Sequence, residues 1–255
     1  MKMVLRLARG WAGTGSTGTI NGIEYTVVDS YLLIQMLQDG DDVSKACTTN
    51  MTNFSTGLYS YSPTFNQDIS SWDVSNVTNM SYMFASTPFN QDISSWDVSN
   101  VNDMSAMFLT NSDYNQPIGD WDTSSVTNMR YMFASTPFNQ DISSWDVSNV
   151  FNMKEMFYQT SSFNQDISSW DVNNVFECEN FCAAAFNWVL PKPFFENCNT
   201  GDDCGYPNPV YLDDNGVTVK AHSWAVAGQI GSAGGTTYYV ADNNTDLSYY
   251  PVTTN

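Results

Sequence analysis

Aspartates return at a near-constant interval along this chain. Asp73, Asp97, Asp122, Asp146 and Asp171 form one series, and Asp68, Asp92, Asp141 and Asp166 form a second that Pro117 interrupts. Stacked at a spacing of about 4.8 Å, neighbouring carboxylates repel by about 1 kcal/mol even in water, so something must offset the charge. Two arrangements answer that need. Serine hydroxyls and backbone amides can donate to the carboxylates, or a row of calcium ions can take oxygen ligands from successive units. Calcium is therefore the one cofactor the sequence raises, along Asp73, Asp97, Asp122, Asp146 and Asp171. The second series is a poorer candidate, because a ligand needed in every unit would not tolerate Pro117.

Other reactive groups are sparse. His222 is the sole histidine and has no cysteine or carboxylate arranged around it as a triad or metal site, so no catalytic residue is expected and the chain reads as non-enzymatic. Of five cysteines, Cys47 stands alone, and Cys178, Cys182, Cys198 and Cys204 cluster late in the chain. The short turn-rich loop between Cys198 and Cys204 suits a local disulfide in an oxidising compartment. Cys178 and Cys182 lie four apart with no nearby histidine, which favours buried thiols over a metal site.

The aspartates belong to a longer phrase. Phe65-Asn-Gln-Asp-Ile-Ser-Ser-Trp72-Asp-Val-Ser-Asn-Val77 returns from Phe89, Tyr114, Phe138 and Phe163, with tryptophans at Trp72, Trp96, Trp121, Trp145 and Trp170. The period alternates between 24 and 25 residues. A propeller blade needs about 40 residues, so this length selects a solenoid, in which each unit buries its apolar side only against its neighbours. Ile69, Trp72 and Val74 follow the leucine-rich spacing L-x-x-L-x-L, which predicts a short strand around Trp72–Val74. Val77, Met80, Met83 and Phe84 recur at steps of three and four, which predicts a helical turn. The expected fold is a leucine-rich-repeat-like solenoid with the five tryptophans in its core. Asn66, Asn90, Asn115, Asn139, Asn164 and Asn187 occupy one column, read as a structural ladder of inward amides that satisfy backbone groups.

A stack needs lids. Asp29-Ser30 can cap a helix over Tyr31–Gln38 that stops at Gly40, giving an N-terminal strand and helix cap over residues 1–40. The solenoid then spans residues 41–190, beginning with a degenerate coil and ending as Phe186-Asn187 opens one more before Pro191 and Pro193. A cysteine-containing linker follows over 191–209, and a small β module over 210–255 with a hairpin through Asn215-Gly216. The two ends match without gaps. Trp11-Ala12, Gly15, Gly18, Gly22, Tyr25, Val27 and Asp29 reappear as Trp224-Ala225, Gly228, Gly231, Gly235, Tyr238, Val240 and Asp242. Either solenoids follow one another in a longer polypeptide, or the C-terminal module of one copy completes the cap of the next in a head-to-tail filament.

Charge narrows the partners. With 8 Lys and Arg against 27 Asp and Glu, the formal charge of −19 repels nucleic acid and anionic membranes. No run approaches the ~18 apolar residues of a membrane span, so membrane insertion is not expected. Met1–Gly10 lacks the apolar stretch of a secretory signal, which fits a cytosolic protein or equally a piece of a longer secreted precursor, and the second reading is preferred.

Read in full, the phrase Phe65-Asn-Gln-Asp-Ile-Ser-Ser-Trp-Asp-Val-Ser-Asn-Val-Thr-Asn-Met-Ser-Tyr-Met-Phe84 resembles the repeat of the BspA-like bacterial surface proteins, also found in mycoplasma and listerial lipoproteins. The resemblance covers residues 41–190, and the period here is shorter than that family's. It implies a cell-surface or extracellular location and adhesion to a protein or glycan ligand, while the matched ends leave further copies of the chain, head to tail, as the alternative partner.

Overall fold

The computed structural model describes residues 12–55, 58–193, 195–198 and 200, together with four strands nearer the C terminus. The chain opens with a hairpin, β1 (Thr17–Ile20) and β2 (Ile23–Val27). Its two-residue turn is Asn21-Gly22, both at positive φ (51° and 80°), the combination that matches the twist of paired strands. Helix α1 (Ser30–Asp39) follows. The Asp29 carboxylate caps it by accepting from the Leu32 amide at 2.9 Å, and Gly40, left-handed at φ 77°, closes it. Leu33 and Leu37 turn its apolar side onto the first coil. A 3-10 turn (Val43–Lys45) leads into β3 (Ala46–Cys47), which pairs in parallel with β2, Thr26 opposite Ala46 and Val27 opposite Cys47. The hairpin is thereby seated on the first coil.

From there the chain winds through coils of 24 to 26 residues joined edge to edge. Parallel bridges link Asn53, Asn79, Asp103, Asn128, Asn152 and Glu177 in succession. After each bridge the amides alternate in direction. Met80, Tyr82, Phe84 and Ser86 donate to Asp103, Ser105, Met107 and Leu109 in the next coil, while Met83, Ala85 and Thr87 donate three residues back within their own. Left-handed residues at Tyr82 and Ser86, and at their counterparts in the next four coils, produce the alternation. A non-glycine residue in that conformation costs about 1 kcal/mol, which the bonds between coils offset. These residues therefore form no helix, although their apolar side chains keep the three- and four-residue steps that suggested one. Trp72–Val74 form no strand either. The Trp72 amide donates to Ile69 and the Val77 amide to Val74, so this edge closes on itself.

Between these two edges lie aromatic columns. Phe65, Phe89, Tyr114, Phe138 and Phe163 stack at 5.8–6.2 Å between ring centroids. Phe84, Phe108, Phe133 and Phe157 stack beside them at 5.6–5.7 Å, with cross-contacts as short as 3.9 Å. Trp72, Trp96, Trp121, Trp145 and Trp170 are all buried. Each indole Nε1 donates to a carbonyl of the preceding coil, as Trp145 does to Ile118 at 3.0 Å. The tryptophans thus pack and set register at once. Tyr114 is the one hydroxylated ring of the first column, and its buried oxygen has no hydrogen-bond partner.

The last coil departs from expectation. Phe186, proposed to open it, is 70% exposed, and Trp188 is fully buried in its place. Trp188 packs edge-on against Phe163 at 4.7 Å, and the Val189 and Leu190 amides donate to Asn164, as the Asn164 amide does to Asn139. Trp188 stands 25 residues after Phe163, whereas Phe186 stands 23 after it, so the column keeps its period by slipping two residues. The expected Cys198–Cys204 disulfide is also corrected. Cys198 is bonded to Cys178, which coiling carries back beneath the last turns, and Cys182 is disulfide-bonded too rather than a buried thiol. Cys204 lies outside the described residues, as do His222 and the Asn215-Gly216 turn.

Four strands pair in the C-terminal region: β4 (Val210–Leu212) with β5 (Val219–Ala221), and β6 (Ile230–Ala233) with β7 (Thr236–Tyr239), both antiparallel.

Trp188→Ala should cost about 3–5 kcal/mol by leaving a cavity at the end of the column, and Phe186→Ala should stay within about 0.5 kcal/mol. Chemical denaturation of both variants tests this, and the opposite ranking would restore Phe186 to the core. Tyr114→Phe removes a buried hydroxyl with nothing to bond, so it should raise stability by up to about 1 kcal/mol; a clear fall in melting temperature would show that the oxygen has a partner.

Candidate interaction surface

The phrase that repeats most faithfully lines one side of the stack, and its polar groups are spent on the stack itself. In the Asp73 series each Oδ1 accepts from the amide two residues on, at 3.1 Å in Asp73, 3.3 Å in Asp97, 3.1 Å in Asp122, 3.0 Å in Asp146 and 3.2 Å in Asp171. In the first four a serine hydroxyl donates to the same oxygen at 2.6–2.7 Å. The second series closes the same turn through Ser70, Ser94, Ser143 and Ser168. The Ser148 hydroxyl and then its amide hold the Asp146 carboxyl below the usual carboxylate range, and Ser94 does the same for Asp92. Serine and backbone donors thus meet the charge in both series. Among the described residues no three His, Cys, Asp or Glu side chains gather as a metal site would require.

The asparagine column also serves the stack, but from the surface rather than the interior. Asn66, Asn90, Asn115, Asn139 and Asn164 are exposed or half-buried. The Asn66 Oδ1 accepts from the Asn90 amide at 3.0 Å and from the Gln91 side chain at 2.9 Å, and the pattern repeats through Asn115, Asn139 and Asn164. Asn187 leaves the ladder, since the two-residue slip puts Val189 in its place. The glutamines beside these asparagines went unrecognised in the sequence, although their strict repetition at Gln67, Gln91, Gln116, Gln140 and Gln165 was the signal. A second amide row was missed as well: Asn76, Asn100, Asn149 and Asn174 each donate to a carbonyl of the preceding coil.

The opposite edge, where amides alternate between coils, carries different side chains in each coil. One outward column reads Thr78, Asn102, Thr127, Phe151 and Phe176, and the last two are 46% and 61% exposed. They sit on neighbouring coils, with the Phe176 amide donating to the Phe151 carbonyl at 3.0 Å. The neighbouring columns read Ser81, Ser105, Arg130, Lys154, Glu179 and Tyr82, Ala106, Tyr131, Glu155, Asn180, with Ser81 and Ala106 buried and Tyr82, Arg130 and Glu179 exposed. Charge and aromatic rings concentrate in the later coils. The Arg130 guanidinium lies 4.6 Å over the Tyr131 ring, the Tyr131 hydroxyl donates to Glu155 at 3.0 Å, and Lys154 reaches Glu179 at 3.8 Å. Exposed aromatics on an edge that also carries charged groups held in place by one another are suited to binding. These columns are not legible along the chain, because they exist only once coils stack in register.

The geometry therefore defines a protein of stacked repeats with one uniform polar side and one individual side. Residues 32–137, and again 86–191, match the family described as "Mycoplasma protein of unknown function, DUF285", and the chain belongs to this family. The two overlapping matches reflect the internal repeat. No curated protein and no solved structure matches the chain.

The lowered pKa of Asp146 fixes a pH dependence. Its turn contributes stability that is fully present above the unfolded value of 3.8 and is lost as pH falls through the lower folded value. Asp146→Asn should therefore lose stability at neutral pH, by less than about 1 kcal/mol because the group is largely exposed. The gap to the unmodified chain should close in acid below the folded value. A gap that persists there, by denaturant titration at both pH values, would mean that the charge is not what the Ser148 donors recognise.

Proposed function

We propose that this chain is a non-enzymatic module of an extracellular or cell-surface protein, a leucine-rich-repeat-like solenoid of the BspA-like kind, that adheres to a protein or glycan ligand. The observation that carries the reading is the exposed Phe151 and Phe176 pair on neighbouring coils, along the edge that also carries Arg130, Tyr131, Lys154 and Glu155. A side kept for packing has reason to repeat, and departures that expose large apolar rings cost solubility unless something covers them. The Cys178–Cys198 disulfide supports an oxidising location. A charge of −19 argues against nucleic acid as the ligand, and among the described residues no helix is long and apolar enough to cross a membrane.

The test is a binding screen of the purified chain against immobilised extracellular-matrix proteins, host-cell surfaces and glycans. A saturable ligand should appear, and the double variant Phe151→Ser with Phe176→Ser should weaken it at least about tenfold while leaving the melting temperature unchanged. Undiminished binding by the double variant would move the site elsewhere, and a screen without any ligand would count against adhesion itself.

A further inference from the structure

The C-terminal hairpin repeats the N-terminal one in geometry as well as in sequence. In the first, Thr17 pairs with Thr26, Gly18 with Tyr25, Thr19 with Glu24 and Ile20 with Ile23. In the second, Ile230 pairs with Tyr239, Gly231 with Tyr238, Ser232 with Thr237 and Ala233 with Thr236. Every pair sits at the matching position, and the glycine–tyrosine pair is identical. Gly234-Gly235 stands where Asn21-Gly22 makes the first turn, and both dipeptides suit the same two-residue loop.

What the first hairpin does is visible. Its inner strand β2 docks in parallel on β3 of the first coil, and a small apolar cluster seals the contact: Ala12 and Val27 from the hairpin side against Cys47 from the coil. Both hairpin members of that cluster recur, as Ala225 and Val240, and so does the helix-capping Asp29, as Asp242. The duplication therefore preserves the residues that grip a coil, where a hairpin kept only for its own stability would need to preserve just the turn and the pairing. Among the described residues β7, the counterpart of β2, pairs with β6 alone.

We propose that β6–β7 is a second coil-gripping hairpin whose β7 edge docks on β3 of another copy of this chain, in the place and register that β2 holds. The occupant follows from complementarity, since the surface that fits β2 is carried by every copy at Ala46–Cys47. The incoming hairpin exchanges with the resident one, trading like contacts for like, so the exchange costs little and is driven by concentration. Because each copy has one such hairpin and one such coil, the contact is head-to-tail and propagates into chains.

Val240 matches Val27, which lies opposite Cys47, so Val240→Cys should form a disulfide with Cys47 of a neighbouring copy. Chains grown with and without heavy nitrogen are mixed, unfolded, refolded together at high concentration and oxidised. Peptide mass spectrometry should then find the position 240–Cys47 link between heavy and light chains, and Cys47→Ser should abolish it. Links confined to chains of one isotope would place the hairpin on its own first coil and overturn the proposal. In parallel, sedimentation of the unmodified refolded chain should show an average mass that rises at least about twofold with concentration. A strictly monomeric chain at every concentration would overturn the proposal even if the cysteine variant failed to fold.

Discussion

Each coil of this protein is unfinished until another lies against it. Phe84 can cover Phe89 within one coil, but the other faces of those rings meet only Phe65, Phe108 and Tyr114 in the coils before and after. The backbone is arranged in the same way, because half of the amides after each bridge find their acceptors one coil on. Apolar burial and hydrogen bonding therefore arrive together, between neighbours, and neither is complete in a coil alone. The tryptophan indoles add register. A Trp145 ring displaced by one residue would lose both its stacking on Trp121 and its bond to the Ile118 carbonyl.

That dependence divides the surface. On the side of the Asp and Asn columns the polar groups of one coil satisfy its own turn or the backbone of its neighbour, so a substitution in one coil would be felt in two. At the alternating edge the ladder between coils runs between backbone groups, and side-chain bonds such as those of Thr127 to the Asn102 carbonyl and of Tyr131 to Glu155 are added to it in some coils. That edge can hold Thr78 in one coil and Phe176 in another without disturbing the ladder.

The same dependence makes the ends informative. The first coil has no predecessor, and a hairpin and helix stand in for one, meeting β3 through Thr26 and Val27 and the apolar interior through Leu33 and Leu37. At the other end Trp188 turns edge-on to Phe163 and closes the aromatic column, the Cys178–Cys198 bond ties down the chain beyond it, and Phe186 is expelled. A second hairpin with the residues of the first then acquires meaning, since gripping a coil is the one task the first is seen to perform.

The period, the aromatic columns, the Asp29 and Gly40 caps and the kinship of the two ends were all written in the residues, because spacing and side-chain type dictate which groups share a side of a periodic chain. Three features were decided only by the folded arrangement. Steps of three and four residues bring Val77, Met80, Met83 and Phe84 inward in a helix and in the alternating turns alike, and only the choice of hydrogen-bond partner separates the two; that partner lies in another coil. The bond from Cys198 to Cys178 joins residues that coiling brings together, whereas nearness along the chain favoured Cys204. Phe151 and Phe176 become a pair only when coils lie in register, since what sets two such residues side by side is stacking between units, an interaction that no single stretch of sequence contains.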